Sequence, residues 1–292
     1  MALLVHPGYR GLADIPGVGQ VRFSDANMSA KQEVNAPDLV MGDWDRDAYN
    51  YGPIEVGGSI SGPVTETFVL GSGGGTGLWD WGVKRNSPCG ELNPADVTLY
   101  YYCGGSEQRA REFIEMYVNS LNFSCSAGDV ANFSIDTMSK SVGPWLSTDP
   151  PHYTDAEKLI TWDKVYVSIS PGDEDVTVPV NIGYSNFDFT ITNNLETVYS
   201  LSQSNLFPYE IVPGLRTISG SISVYDTPQF DGVISFDDYD AANIGTISFD
   251  IGGLSIEMKA RFHRVEPASS TGNIVSTVGF TGVGHQTGSA WE

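Results

Sequence analysis

The chain has 292 residues, 40% of them hydrophobic and only 17% charged, enough for one large β domain or two ordinary ones, each with its own core. Lys and Arg number 15 against 36 Asp and Glu, a formal charge of −21 with no basic run, which weighs against wrapping or reading nucleic acid. Cys89, Cys103 and Cys125 are odd in number and lack CxxC spacing, which speaks against a disulfide framework or a zinc site, and no stretch approaches 18 apolar residues.

Residues 1–20 are rich in Gly and Pro and follow neither a helical nor a strand period, so they read as an extended N-terminal arm. Residues 21–27 suit a strand, 35–53 a polar, acidic excursion, and 54–69 one or two strands around Gly57-Gly58 and Gly62-Pro63. Residues 71–77 form a Gly-rich loop, with Trp79 and Trp81 as anchors at its base. Residues 97–103 carry the strongest β propensity of this half, while 106–112 suit a short helix or the start of a strand. Alternation over 112–126 and 130–141, broken by Ala127-Gly128-Asp129, marks a β-hairpin.

A linker is placed at 146–163, with Pro150-Pro151 and a short helical candidate at 155–160. Strands follow at 165–169 and 176–182, and 229–242 reads as an acidic helix or irregular turn. Residues 254–267 and 274–282 make a second hairpin, and 286–292 a C-terminal tail.

These elements state one pattern twice. Gly58-Ser59-Ile60-Ser61 recurs as Gly220-Ser221-Ile222-Ser223, and Ile114-Glu115-Met116 recurs as Ile256-Glu257-Met258, in the same order. The alternating segment 21–27 precedes the first copy as 187–193 precedes the second. The first interval is longer, and an insertion near 71–95 accounts for the difference. The expected organisation is mainly β, in two tandem modules at 21–145 and 164–285 with short helices and long loops.

No motif demands chemistry. The glycines at 71–77 are followed by Leu78 and Trp79 where a phosphate loop needs Lys and Ser or Thr. Asp43, Asp45 and Asp47 begin like a calcium loop, but Ala48 stands where the turn needs Gly and Ile54 where a bidentate Glu is needed. His6, His152, His263 and His285 are scattered without metal spacing or a neighbouring nucleophile motif. No enzyme activity, cofactor or metal is therefore expected.

One stretch carries a resemblance. Asn193-Asn194-Leu195-Glu196, then a loop, then Pro213-Gly214-Leu215-Arg216-Thr217-Ile218-Ser219-Gly220-Ser221-Ile222-Ser223, and the late hairpin ending in Phe280-Thr281-Gly282, are similar to the tail tube proteins of tailed bacteriophages. The likeness covers about 185–285 well and 20–142 more weakly. It implies tube-type β-sandwich or barrel modules whose sheets join side by side around a hollow ring, with rings stacking into a tube. It implies no catalytic residues, assembly in the host cytoplasm into the virion tail, partners among other tail proteins such as sheath or tape measure, and DNA as a passing cargo. Two modules per chain would make a trimer with pseudo-sixfold symmetry, either a shaft ring or a tube-like hub at the tail's end. An acidic inner wall would let DNA slide without adhering, and Glu115, Asp136 and Glu257 are the candidate carboxylates facing it. Two rivals remain: a carbohydrate-binding β-sandwich using Trp79, Trp81 and Tyr100-Tyr101-Tyr102, and a hydrolase with a histidine in a cleft beside Ser or a carboxylate.

Overall fold

The computed structural model describes residues 11–35, 50–70, 77–85, 90–102, 108–147, 158–171, 184–201, 206–225, 244–270, 273–283, 286–287 and 290–291. The fold is mainly β. Its strands are β1 (Gly11–Ile15), β2 (Gly19–Phe23), β3 (Asp25–Asn35) and β4 (Asn50–Pro63), then helices α1 (Glu66–Leu70) and α2 (Gly77–Gly82). They continue with β5 (Ala95–Tyr102), β6 (Gln108–Ser126) and β7 (Asn132–Val142), a short 3-10 turn at Trp162–Lys164, then β8 (Val165–Pro171) and β9 (Tyr184–Thr192). The rest are β10 (Leu195–Val198), β11 (Glu210–Pro213), β12 (Thr217–Tyr225), β13 (Ile244–Ile251), β14 (Leu254–Ser270), β15 (Asn273–Val283), β16 (Gln286–Thr287) and β17 (Ala290–Trp291).

Both expected hairpins are present, as β6·β7 and β14·β15. The first turns on Gly128, whose positive φ of 87° suits glycine, and the Asp129 carboxylate accepts the N–H of Val130 at 3.0 Å. A further hairpin, β13·β14, closes through Gly252-Gly253, both at positive φ, as a two-residue turn requires.

Several segments differ from the sequence reading. Residues 11–20 are not an arm: β1 and β2 form a hairpin in which Leu12, Ala13, Ile15 and Val18 are buried, and β1 also pairs with β5. Residues 65–69 are helical, with the buried Thr65 hydroxyl capping α1 by accepting the N–H of Phe68 at 3.3 Å. The strand that pairs with the first Gly-Ser-Ile-Ser copy is β3, running on to Asn35, and not the segment 21–23. The calls at 71–76, 155–157, 176–182 and 229–242, and those on Cys89 and Cys103, lie outside the described residues.

The pairing order repeats. In the first half it runs β3-β4-β7-β6-β5-β1, and in the second β9-β12-β15-β14-β13-β8, every contact antiparallel. In both, the Gly-Ser-Ile-Ser strand lies between the opening strand and the last hairpin arm, with Ile60 opposite Ala26 and Ile135, and Ile222 opposite Phe187 and Val278. The Ile-Glu-Met copies are offset by two residues: Met116 opposes Ser139, whereas Ala260, not Met258, opposes the equivalent Gly282.

The halves meet along β6. Its residues 113–124 pair with β7 on one edge, so β5, over 108–116, and β9, over 120–126, must share the other. The seam β6·β9 makes β3-β4-β7-β6-β9-β12-β15-β14 one continuous eight-stranded arc. Beneath it the buried side chains of both halves form one apolar cluster, with Phe249 of β13 stacked 5.1 Å from Phe189 and 5.8 Å from Phe280.

Burial pushes the hydroxyls of Tyr101 and Tyr184 up to about 12. Because the unfolded chain loses these protons near pH 10, each tyrosine withdraws stability as pH rises from 10 towards 12. Urea unfolding across that range should show a smaller loss for the Tyr101→Phe/Tyr184→Phe double variant than for the parent; equal losses would contradict the assignment.

Candidate functional site

Alternation along the eight-stranded arc sends every second side chain to the same side. Residues opposite one another in an antiparallel sheet share a face, so the registers can be read as rows. One row is Asn27, Ser59, Asp136, Ser120, Thr192 and Thr217. The next crosses all eight strands as Asp25, Ser61, Ser134, Asn122, Thr190, Ser219, Thr281 and Arg261. A third runs Asn132, Ser124, Asp188, Ser221, Gly279 and His263. The opposite face is apolar: Ala26, Ile60, Ile135, Leu121, Ile191 and Ile218 form one row, and Phe133, Phe123, Phe189, Phe280 and Phe262 belong to another.

The polar rows are knitted together. Ser120 donates to Asp136 at 2.7 Å, and Asn122 reaches across the seam to Asp188 at 3.0 Å and Thr190 at 2.9 Å. The acids in these rows are Asp25, Asp136 and Asp188. The cations Lys31, Lys140, Lys259 and Arg261 lie towards the strand ends marked by Glu115 and Thr192. This face offers short hydroxyls and amides with carboxylates at its centre, a surface that repels polyanions and presents nothing apolar to grip them.

Of the three carboxylates singled out from the sequence, Asp136 lies in the middle of a polar row and is exposed. Glu115 sits at a bulge in β6 with φ of 47°, its N–H donating to Asp96 at 2.8 Å and its carboxylate paired with Lys140 at 2.8 Å. Glu257 is exposed on β14, on the face shared with Arg261 and His263, beside Ser248. Asp188 was missed, although its place between Phe187 and Phe189 in an alternating strand was a usable signal.

Behind the face, the Asn-Asn-Leu-Glu and Pro-Gly-Leu-Arg stretches build a buried polar knot at the corner where β6 passes from β5 to β9. Asn193, 1% exposed, donates from its side chain to the carbonyls of Gly82 at 3.0 Å and Val118 at 2.8 Å, and accepts from Arg216 at 2.8 Å. Its backbone N–H donates to Asn119 at 2.7 Å, and the Asn119 side chain accepts the N–H of Leu195 at 2.9 Å. Arg216 also donates to the carbonyl of Val83, and Arg85 to that of Gly214 at 2.9 Å. Burial, with the Arg85 charge nearby, pulls Arg216 down to about 9. The knot ties the second half to α2 and β6 of the first.

The residues of the rival readings are occupied elsewhere. Trp81 is buried and donates its indole N–H to Met116, while Tyr101 packs against Phe23 and Trp145. Trp79 and Tyr102 side chains, His6, His152 and His285 lie outside the description. His263 is exposed on the polar face with its ring over Gly279. A cavity of about 230 Å³ between Cys125, Trp162, Tyr166, Tyr184 and Phe187 has no histidine in its lining. Among the described residues no three His, Cys, Asp or Glu converge to hold a metal, and no helix is long and apolar enough to cross a membrane.

The family model described as phage tail tube protein matches residues 8–282. No curated protein matches the chain.

Proposed function

Because the chain belongs to the phage tail tube protein family, and is thus a structural component of the virion tail, we propose that it assembles into rings that line the channel for DNA. The observation that carries this reading is the eight-stranded arc with a polar face and an apolar back. Its two halves act as tandem tube modules, supported by the repeated pairing order and the two Gly-Ser-Ile-Ser strands at equivalent places. Three chains then supply six modules, a trimeric ring with pseudo-sixfold symmetry. The polar rows face the bore, with Asp136 joined by Asp188, and Glu115 and Glu257 nearer the strand ends where the cations also lie. The β10–β11 ribbon, with exposed Val198, Leu201, Leu206, Val212 and Leu215, offers apolar surface for contact along the tube with stacked rings or other tail proteins. No catalytic step belongs to this role.

Electron microscopy of the concentrated protein should show annuli or hollow rods; a dispersed monomer under all conditions would count against it. The bore is tested by charge. Wild-type assemblies should not retain linear duplex DNA on sedimentation, whereas Asp136→Lys/Asp188→Lys assemblies should. That retention should weaken linearly in log salt, with a slope of about −0.9 for each phosphate neutralised. Equal behaviour of the two would place the polar face outside the channel.

A further inference from the structure

The seam inside the chain is a template for the seam between chains. The edge of β6 beyond β5 pairs with β9, from Ser120 opposite Thr192 to Ser126 opposite Asn186. The second half has the equivalent edge: β13 covers β14 only over residues 254–261, and β15 lies on the other side over 259–270. Residues 263–270 are therefore unpaired on the β13 side among the described residues. The first half has the equivalent of β9, since β3 pairs with β4 alone. A chain with a long unpaired strand at each end of one arc has the form of a link, and such edges are hazards unless something pairs with them.

We infer that β14 of one copy pairs antiparallel with β3 of the next, in the register that β6 and β9 display within the chain. This rests on the ring reading above and supplies its closing contact. Equivalence follows from the shared partners. Phe187 and Ala26 oppose the isoleucine of the two Gly-Ser-Ile-Ser strands, so Asn186 to Thr192 corresponds to Asp25 to Lys31. Ile135 and Val278 oppose the same isoleucines from the other side, and they face Leu121 and Arg264. Ser120 thus corresponds to His263 and Ser124 to Ala268, the extra residue being absorbed by the bulge between Val265 and Ala268. The pairing sets His263 opposite Lys31 of the next copy, Arg264 opposite Ala30, Val265 opposite Ser29, Ala268 opposite Asn27 and Ser270 opposite Asp25. Pro267 falls in the bulge, where a strand tolerates a missing N–H. Each closure adds eight strands to one uninterrupted sheet, and the third copy returns to the first.

Disulfide trapping tests the register. In full-length chain with Cys89→Ser, Cys103→Ser and Cys125→Ala, Lys31→Cys and His263→Cys are introduced together, and Asn27→Cys with His263→Cys serves as the out-of-register control. After mild oxidation and denaturation the in-register pair should give covalent species of two and three chains and none larger, and the control should stay monomeric. Linking by the control pair overturns the register, and a ladder beyond three overturns closure at three copies. Annuli under the microscope without cross-linking overturn this seam while the ring reading stands; absence of any assembly overturns both.

Discussion

Asn193→Ala should destabilise the protein by about 3–5 kcal/mol, the cost of breaking a buried network that contains a charge. The alanine leaves the carbonyls of Gly82 and Val118 without the amide that reaches them, and removes the acceptor that Arg216 uses at 2.8 Å. Each buried polar group so stranded costs roughly 1–3 kcal/mol, and the side chain is too enclosed for bulk water to replace it readily. Arg216→Met should cost less, because it also removes a cation that burial penalises. A double-mutant cycle by urea unfolding should return a coupling of about 0.5–3 kcal/mol. Additivity of the two changes would mean that the pair does not act as a unit.

The second large effect concerns the glycines that open the two Gly-Ser-Ile-Ser strands. At Gly58 the backbone has φ of 150°, and an added Cβ would lie 1.9 Å from the carbonyl oxygen of Asn27 on β3. At Gly220 φ needs no glycine, but a Cβ would lie 2.4 Å from the ring of Phe280 and 2.3 Å from the carbonyl of Asp188. Alanine at either site should cost about 1–3 kcal/mol by overpacking, the larger loss falling on Gly58, where strand backbone blocks the space. Calorimetry should also show Gly220→Ala partly rescued by Phe280→Leu, because there the obstacle includes a side chain. An unchanged melting temperature for Gly58→Ala would contradict the close approach of β3 and β4.

The repeated tetrapeptide shows what a sequence can disclose. Gly, Ser and Ile at fixed offsets marked the two strands that lie at equivalent places in the pairing order, and alternation marked both long hairpins. The hairpin β13·β14 was also legible, since an alternating run meets Gly252-Gly253 before another alternating run. β3 was hidden beyond Asn27: Lys31 and Gln32 have no strand signature of their own, and only the ladder to β4 makes them extended. Gly and Pro in residues 11–20 masked Leu12, Ile15 and Val18, whose burial depends on the distant β5. The polar face follows from period two once registers are known, but Glu115 owes its orientation to a bulge that no local pattern announces. The knot was seen only as a signature, because Gly82, Val83 and Val118, which give Asn193 and Arg216 their partners, are far away in the chain.

The junction β6·β9 lies within a single polypeptide. Its closure is unimolecular, so dilution cannot weaken it, whereas contacts between separate chains obey mass action. A ring of three such molecules needs three encounters where six single-module subunits would need six, and its concentration threshold for nucleation should be correspondingly less steep.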